Sequence, residues 1–233
     1  MKINIAIDGP AGSGKGTVAK LVAEKLGYLY VDTGAMYRLL TYLMIKNNVK
    51  FDDDEEINDL LINEFDYEIV NGRMICNEED VTEKIRSKEV NKIVSLVAGK
   101  QYVRKFMVEL QKGIAGEKGV VMDGRDITSV VLKDAELKIY LDADFEERVR
   151  RRHLEEIKKG KNSTLEEVRK MMQERDDNDI NNNKTLVKGE DCVVVDTTKT
   201  NVEEAVNKVY ELAKEVINND WSCSGIHWQT KCG

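Results

Sequence analysis

Short, largely apolar runs alternate with helical patterns along most of the chain. Residues 2–8 form the first run, apolar on both faces, as in a strand buried within a parallel sheet. A helical period follows, with apolar residues at Val18, Leu21, Val22 and Leu26. Four further short runs extend the pattern, at residues 28–31, 120–123, 137–142 and 192–196. This order predicts an α/β fold with a five-stranded parallel sheet wrapped by helices.

The stretch between the second and third runs has a different pattern. Residues 65–70 alternate between polar and apolar side chains, Asn71-Gly72 follows, and residues 73–76 form another short run. An Asn-Gly pair between two such runs is a strong signal for a β-hairpin. Residues 80–113 then have a helical pattern. We therefore predict a hairpin-containing insert at residues 63–112.

The remaining chain divides into a core and a lid. We assign residues 1–62 and 113–217 to the core. Within the second core span, residues 145–185 contain two charged helical segments joined by a loop, which predicts a helical lid. Thr164 and Glu167 have the spacing of a capping box, so the second lid helix is expected to begin there.

The amino-acid composition disfavours some classes of binding partner. The 233-residue chain has 43 acidic and 36 basic side chains, giving a net charge of −7. General nucleic-acid binding is disfavoured because phosphate contacts need a basic surface. No apolar run approaches membrane-spanning length, and the chain starts with a strand rather than a leader. We expect a cytoplasmic protein that binds no membrane, and a monomer because no heptad or apolar stripe demands a partner.

The loop after the first strand carries the strongest chemical signal. Gly9 and Gly14 are five residues apart and Lys15 follows, which is the spacing of a phosphate-binding P-loop. Glycines let backbone N–H groups close around phosphate oxygens, and the helix that starts here points its positive end at the same anion. A structural glycine turn is the alternative, which the strand–loop–helix context disfavours. The predicted phosphate-binding residues are Gly9, Pro10, Ala11, Gly12, Ser13, Gly14, Lys15, Gly16 and Thr17.

Polar residues also follow the second and third runs, at the sheet edge where ligands bind in such folds. Thr33 opens a helix that carries Arg38, which is either a second anion-binding residue or a solvated helix charge. The third run ends in Asp123, as does a Walker B strand whose carboxylate contacts Mg²⁺ through water. Arg125 and Asp126 come directly after it.

The first lid helix is rich in arginine. It carries Arg148, Arg150, Arg151 and Arg152. A helical pair with such a composition after the fourth strand is typical of a lid that contacts a phosphate. The arginines could instead pair with carboxylates three or four residues away on the same helix. We expect some of them to do so and at least one to reach a phosphate.

The last segment, residues 218–233, does not continue the α/β pattern. Cys223, His227 and Cys232 offer three metal-binding side chains, but their spacing lacks a fourth ligand and matches no closed zinc site. A tail without a metal is therefore the preferred interpretation.

These motifs resemble those of the bacterial cytidylate kinases, a family of P-loop nucleoside monophosphate kinases. The similarity covers residues 2–217 and rests on IAIDGPAGSGKGT at 5–17, DTGAMYR at 32–38 and VMDGRDI at 121–127. The order of insert and lid agrees, and the GKGT form of the P-loop is typical of monophosphate kinases rather than GTPases. The resemblance implies ATP-dependent phosphorylation of CMP and dCMP, with Mg²⁺ accompanying ATP.

The resemblance also implies roles for individual residues. The P-loop would bind ATP, and the proposed magnesium contacts are Thr17 and Asp123. The catalytic residues would be Lys15, Arg125, Arg148, Arg151 and Arg152. The residues around cytosine would be Thr33, Ser95, Arg104 and Asp126, of which Ser95 and Arg104 are not distinguished by pattern alone. The CMP phosphate would contact Arg38 and Arg125, and the ribose would contact Arg175 and Asp179.

One position departs from the family pattern. Asn182 stands where the family has a phosphate-binding arginine, and the stretch to Leu186 is one residue short and lacks the family's proline. Two alternatives to a CMP kinase follow, namely a related P-loop kinase that prefers UMP and a weakly active nucleotide sensor. A GTPase is disfavoured because the sequence has no Asn-Lys-x-Asp motif.

Overall fold

The computed structural model describes residues 1–70, 73–158, 160, 162–182, 185–186 and 188–218. Its strands are β1 (Asn4–Asp8), β2 (Leu29–Asp32), β3 (Tyr67–Val70), β4 (Arg73–Cys76), β5 (Glu79–Asp80), β6 (Val120–Gly124), β7 (Leu137–Asp142) and β8 (Val193–Asp196). Five of them form one parallel sheet in the order β2–β6–β1–β7–β8. The predicted five-stranded parallel sheet is confirmed, and β1 lies at its centre.

Helices cover both faces of this sheet. The helices of the described chain are α1 (Lys15–Leu26), α2 (Thr33–Lys46), α3 (Asp54–Asn63), α4 (Lys88–Gly99), α5 (Gln101–Ile114), α6 (Phe145–Lys158), α7 (Leu165–Asp177) and α8 (Val202–Asn218). Successive side chains of a strand point to opposite faces, so β1 contributes to two cores. Ile5 and Ile7 pack with α1 and α8, whereas Ala6 packs with α2 and α5. The continuous apolar run of β1 follows from this burial on both sides.

The insert contains a small antiparallel sheet in the order β3–β4–β5. The pairing of β3 with β4 confirms the predicted hairpin, although the Asn71-Gly72 turn lies outside the described residues. The predicted helix over residues 80–113 is wrong in its first part. Asn77 and Glu78 adopt positive φ and turn the chain into β5, after which a 3₁₀ turn at Lys84–Arg86 precedes α4 and α5.

The predicted lid segment contains α6 and α7, which follow β7. The Thr164 hydroxyl accepts a hydrogen bond from the Glu167 N–H at 3.2 Å, and the Glu167 carboxylate accepts one from the Thr164 N–H at 2.8 Å. The predicted capping box is therefore confirmed. A π-helical turn at Asn178–Asn182 follows α7.

Two further predictions from the sequence concern membrane-spanning segments and the candidate metal ligands of the tail. Among the described residues, no helix is long and apolar enough to cross a membrane. The candidate ligands Cys223, His227 and Cys232 lie in the tail beyond Asn218, outside the described residues.

Asp8 closes the carboxyl end of β1. Its side chain is fully buried and accepts hydrogen bonds from the Ile127 N–H at 2.8 Å and from the N–H and hydroxyl of Thr128 at 2.9 and 2.7 Å. Burial raises the pKa of the Asp8 carboxyl, and the Thr128 and Ile127 donors oppose that rise. Asp8 thereby fixes the segment after β6 against the strand that leads into the P-loop.

Asp8→Ala is expected to lower the free energy of unfolding by about 3 kcal/mol, because buried N–H groups lose their acceptor. Urea unfolding followed by circular dichroism measures this change. The exposed Asp52→Ala is the matched control and should change the free energy by less than about 0.5 kcal/mol. An Asp8→Ala protein as stable as the wild type would contradict the role given to this carboxylate.

Candidate active site

The P-loop joins β1 to α1 at the carboxyl end of the central strand. Gly9 has a φ of 154°, and a Cβ there would lie 2.1 Å from the Leu141 carbonyl oxygen, so glycine alone fits. Gly14 has a φ of 91°, and nothing lies within 4 Å of the position its Cβ would take. The loop therefore borders open space directly before α1, whose free N–H groups favour an anion there.

A cleft of about 1770 Å³ opens over the P-loop and extends between insert and lid. A typical single-ligand pocket measures roughly 300–1,000 Å³. The cleft is lined by most residues that the sequence singled out: Ala11, Gly12, Gly14, Lys15, Gly16, Thr17, Thr33, Arg38, Ser95, Arg104, Asp123, Arg125, Asp126, Arg152, Arg175 and Asp179. The predicted residues outside its lining are Gly9, Pro10, Ser13, Arg148 and Arg151.

Lys15 begins α1 and is buried against the P-loop. Its ammonium donates a hydrogen bond to the Pro10 carbonyl oxygen at 3.1 Å. Burial, followed by the positive charge of Arg125, lowers the pKa of Lys15 to about 7. An anion beside the ammonium would favour its charged form and oppose this shift. The electrostatics at Lys15 therefore favour the binding of negative charge.

Arg125 connects the end of β6 to the P-loop. Its guanidinium donates to the Gly9 carbonyl oxygen at 3.1 Å and pairs with the Asp179 carboxylate at 2.9 Å. Asp179 is buried and lies in the turn after α7. Arg125 thus brings three separate parts of the chain together at one point of the cleft.

Arg38 and Arg175 line the same cleft, and each has an unused hydrogen-bond donor. The Nε atom of each is buried and has no hydrogen-bond partner within the described residues. Burial lowers the pKa of Arg38 to about 10 and that of Arg175 to about 9, and the charges of Arg125 and Arg152 act in the same direction on both. Mutually repelling cations with unused donors bind a phosphate favourably, because its charge relieves the repulsion.

Asp123 lies opposite the start of α1. The Tyr30 hydroxyl donates to its Oδ1 at 2.9 Å, and a Cβ on Gly16 would lie 3.9 Å from its Oδ2. Burial, and next the charge of Asp32, raises the pKa of Asp123 to about 7. A cation at this point would favour the ionised carboxylate. The exposed Thr17 lines the same cleft and adds a hydroxyl oxygen.

These oxygen donors fit a magnesium ion. Mg²⁺ prefers hard oxygen ligands, takes one or two from the protein and completes its coordination with phosphates and water. Thr17 and Asp123 supply donors of that kind and number beside the open end of the P-loop. A softer metal would require sulfur or nitrogen ligands instead.

The insert side of the cleft offers a donor and an acceptor together. Arg104 of α5 donates to the carboxylate of Asp126, which follows β6. Ser95 of α4 is half-buried and lines the same cleft. Thr33 is buried there, and its hydroxyl donates a hydrogen bond to the Asp123 carbonyl oxygen at 2.8 Å. A carboxylate beside a guanidinium matches the amino and carbonyl groups on the edge of a nucleobase.

Two lid arginines face the P-loop and the end of β8. Arg148 donates to the Ala11 carbonyl oxygen at 3.0 Å and to the Asp176 carboxylate at 2.6 Å. Arg151 donates to the Thr197 hydroxyl at 3.1 Å. Arg148 therefore holds α6 against the P-loop, whereas Arg151 holds it against the residue that follows β8.

The other two arginines of α6 differ in their surroundings. Arg150 pairs with Glu147 at 2.8 Å, which confirms that some lid arginines pair along their own helix. Arg152 lines the cleft, and its positive charge contributes to the lowered pKa values of Arg38 and Arg175. It is therefore the lid arginine best placed to meet a substrate phosphate.

Sequence reasoning missed Asp32 and Arg86, which both line the cleft. Arg86 lies on the 3₁₀ turn of the insert and donates to the Asp32 carboxylate at 3.0 Å. Asp32 also caps α2 by accepting from the Ala35 N–H at 2.9 Å. The position of Asp32 at the end of an apolar run was an available signal. No sequence signal indicated Arg86, because only the fold of the insert brings its turn to the core.

The P-loop at the centre of a parallel sheet, together with the cationic cleft, defines a P-loop phosphotransferase. A family model described as cytidylate kinase matches residues 5–215. The chain is 47% identical over 222 residues to a curated cytidylate kinase of Listeria welshimeri, covering 94% of this chain and 99% of that one. The chain belongs to the cytidylate kinase family.

A second curated relative and one solved structure are also similar to the chain. A curated cytidylate kinase of Geobacillus sp. is 47% identical over 220 residues, which cover 92% of this chain and 98% of that one. A crystal structure of an uncharacterised protein from Eubacterium ventriosum matches with a TM-score of 0.50 and 16% identity, covering 92% of this chain and 99% of that chain. At this identity the structural likeness concerns the fold alone.

Proposed function

We propose that the protein transfers the γ-phosphoryl group of ATP to CMP, giving ADP and CDP, and that dCMP is also an acceptor. The observation that carries this proposal is one cleft that exposes both the P-loop cations and the Arg104–Asp126 pair. Membership of the cytidylate kinase family supports the same reaction.

ATP binds with its phosphates along the P-loop, residues 9–17. The open space beside Gly14 and the free N–H groups at the start of α1 support this placement. Lys15 accompanies the transferred phosphoryl group, whose negative charge favours the charged ammonium. Thr17 and Asp123 hold Mg²⁺, directly or through water, and the bound ion would neutralise phosphate charge.

CMP binds between the core and the insert. Arg38 and Arg125 hold its phosphate, which the unused Nε donor of Arg38 supports. Arg175 and Asp179 hold the ribose, so that Asp179 serves both the sugar and Arg125. The side chain of Asn182, which stands at a family arginine position, lies outside the described part of the structure.

Cytosine is recognised by the pair on the insert side. Asp126 accepts from the exocyclic amino group, whereas Arg104 and Ser95 donate to the N3 and O2 acceptors. Thr33, whose hydroxyl donates to the Asp123 carbonyl oxygen, contributes a second acceptor for the amino group. Uracil has a carbonyl in place of the amino group and a protonated N3. It would place an acceptor against the carboxylate and leave buried groups unpaired, which disfavours UMP.

The reaction needs no general base, because the attacking phosphate oxygen of CMP is already anionic. That oxygen donates an electron pair to the γ-phosphorus, while the bond to the β,γ-bridging oxygen breaks and its electron pair leaves with ADP. Catalysis is then positioning and stabilisation of charge by Lys15 and Arg125.

Closure of the lid keeps water away from the transferred group. In this division of labour, Arg148 holds the lid helix to the P-loop, Arg151 holds it to the residue that follows β8, and Arg152 reaches the phosphates. Residues 1–62 and 113–217 serve as the core, residues 63–112 as the acceptor-binding insert and residues 145–185 as the lid. A monomeric state and a cytoplasmic location stay predictions of the sequence.

A direct comparison of acceptors tests the proposal. CMP, dCMP, UMP and AMP are each incubated with ATP, Mg²⁺ and the protein, and ADP formation is followed in a coupled assay. We expect CMP to give the highest kcat/KM, with UMP lower by at least about 10²-fold. A preference for UMP would indicate a shifted acceptor, and ATP binding without any turnover would indicate a nucleotide sensor.

The lowered pKa of Lys15 predicts a proton linkage. At pH 8 a group with a pKa of about 7 is mostly unprotonated. Bound ATP favours the charged ammonium of Lys15 and the neutral carboxyl of Asp123, so binding takes up protons and weakens as the pH rises above 7.

Isothermal calorimetry in buffers of different ionisation enthalpy, with ATP and EDTA at pH 8, measures this uptake. Lys15→Met should remove at least about half of it. Lys25→Met, on the exposed side of α1, is the control and should leave it unchanged. ATP binding without proton uptake at pH 8 would contradict the linkage.

A further inference from the structure

Glu156 is a carboxylate in the cleft to which no role has yet been given. It is 8% exposed and lines the cleft from the inner side of α6. A buried carboxylate near bound phosphates would repel them unless its charge is committed to another group. The partners of Glu156 therefore decide whether it opposes or assists the substrate.

The charge of Glu156 is paired with Arg152, whose Nη1 atom also donates to the neighbouring Glu155 carboxylate at 3.1 Å. The Nε and Nη2 atoms of Arg152 both lie 3.2 Å from Oε1 of Glu156. The other carboxylate oxygen, Oε2, accepts a hydrogen bond from the Ser163 hydroxyl at 2.6 Å. Ser163 directly precedes Thr164, the capping residue of α7. Glu156 is thus an anchor between Arg152 and the start of the second lid helix.

Arg152 in turn faces the arginines assigned to the acceptor. It lines the cleft, and with Arg38 and Arg86 it also lines a smaller pocket of about 190 Å³. Its charge acts on Arg38 and Arg175 in the same direction as burial does. The guanidinium is therefore close to the residues proposed to hold the acceptor phosphate and ribose.

We infer that Glu156 is a positioning residue for phosphoryl transfer, which fixes the guanidinium of Arg152 towards the acceptor phosphate. The inference rests on the proposed CMP kinase activity. An arginine side chain loses rotamer freedom when it is immobilised, and an anchor made before the substrate binds removes that cost from the reaction. Ser163 extends the anchor to α7, so the orientation of Arg152 depends on an assembled lid.

Glu156→Gln tests this role, because glutamine keeps the shape and the oxygen that accepts from Ser163 but lacks the charge that holds Arg152. We expect kcat with CMP to fall roughly 10- to 100-fold, with the KM for ATP within about twofold of wild type. Ser163→Ala should lower kcat in the same direction by about threefold, which provides a second variant if Glu156→Gln is unstable.

Glu166→Gln is the matched control. Glu166 pairs with Arg169 on the lid, outside the cleft lining, and its side chain is 79% exposed. Its kcat should stay within about twofold of wild type. Melting curves of all variants, recorded by circular dichroism, separate loss of positioning from loss of folding.

The double variant Arg152→Ala/Glu156→Gln gives the decisive comparison. If Glu156 acts through Arg152, Glu156→Gln lowers kcat no further in the Arg152→Ala background. An additional loss of the same size there would overturn the inference, as would a wild-type or raised kcat for Glu156→Gln alone. A wild-type protein that forms no CDP would instead overturn the proposed function.

Discussion

Lys15→Ala is expected to lower the kcat for CDP formation by about 10³-fold or more. The ammonium is held at the P-loop by the Pro10 carbonyl oxygen, 3.1 Å away, where the transferred phosphoryl group develops its charge. No other lysine of α1 is buried in the P-loop among the described residues. A coupled assay with saturating ATP and CMP measures the loss.

The same substitution should leave the fold as stable as before or slightly more stable. The pKa of Lys15 is about 7 in the fold, below its ordinary value of 10.5. The charged ammonium therefore destabilises the nucleotide-free protein at pH 7, and this penalty disappears only above the ordinary pKa. The Tm of nucleotide-free Lys15→Ala is accordingly expected to be equal to or above that of the wild type.

Lys25→Ala is the control for both measurements. Lys25 lies on the exposed side of α1 and donates to the Asn207 side chain at 2.7 Å. Its removal should leave kcat within about twofold of wild type. Turnover retained in Lys15→Ala would reject the catalytic role of this residue.

Asp126→Asn is expected to lower kcat/KM for CMP by about 10²-fold or more and to reduce the preference for CMP over UMP. An ionised carboxylate only accepts hydrogen bonds, whereas an amide can also donate to the carbonyl of uracil. The substitution also removes the charge that pairs with Arg104. Parallel kinetics with CMP and UMP measure the ratio directly.

Asp134→Asn provides the comparison for this prediction. Asp134 is exposed and lies outside the cleft lining, so both acceptors should be used as in the wild type. If Asp126→Asn keeps the full CMP-to-UMP ratio, then the cytosine edge is recognised by other groups. A loss of equal size for both acceptors would indicate a structural rather than a selective role.

The elements most readily predicted were those whose signals are local. The continuous apolar run of β1 reflects its burial on both faces, and the P-loop follows from glycines placed where a Cβ would collide with a neighbour, as at Gly9. The capping box at Thr164 is a local hydrogen-bond pattern. The wrong start of the predicted helix at residue 80 has a local cause as well, since Asn77 and Glu78 turn the chain through positive φ.

The lid arginines show what local sequence patterns do not predict, namely which partner each side chain contacts. Arg148, Arg151 and Arg152 share one helix and one composition, and their i, i+3, i+4 spacing places them on nearly the same face of α6. Their partners nevertheless differ, because Arg148 meets the P-loop, Arg151 meets Thr197, and Arg152 lines the cleft. Only the packing of α6 on the core decides which direction leads to the substrate.

By itself, the sequence determined the parallel sheet, the P-loop and the hairpin, because each depends on spacing within a short stretch. The tertiary structure decided which charges act together. It joined Arg86 to Asp32 and Arg104 to Asp126, and it set Glu156 against Ser163. The physical reason is that electrostatic coupling depends on distance and burial in space, which neighbouring positions along a chain do not specify.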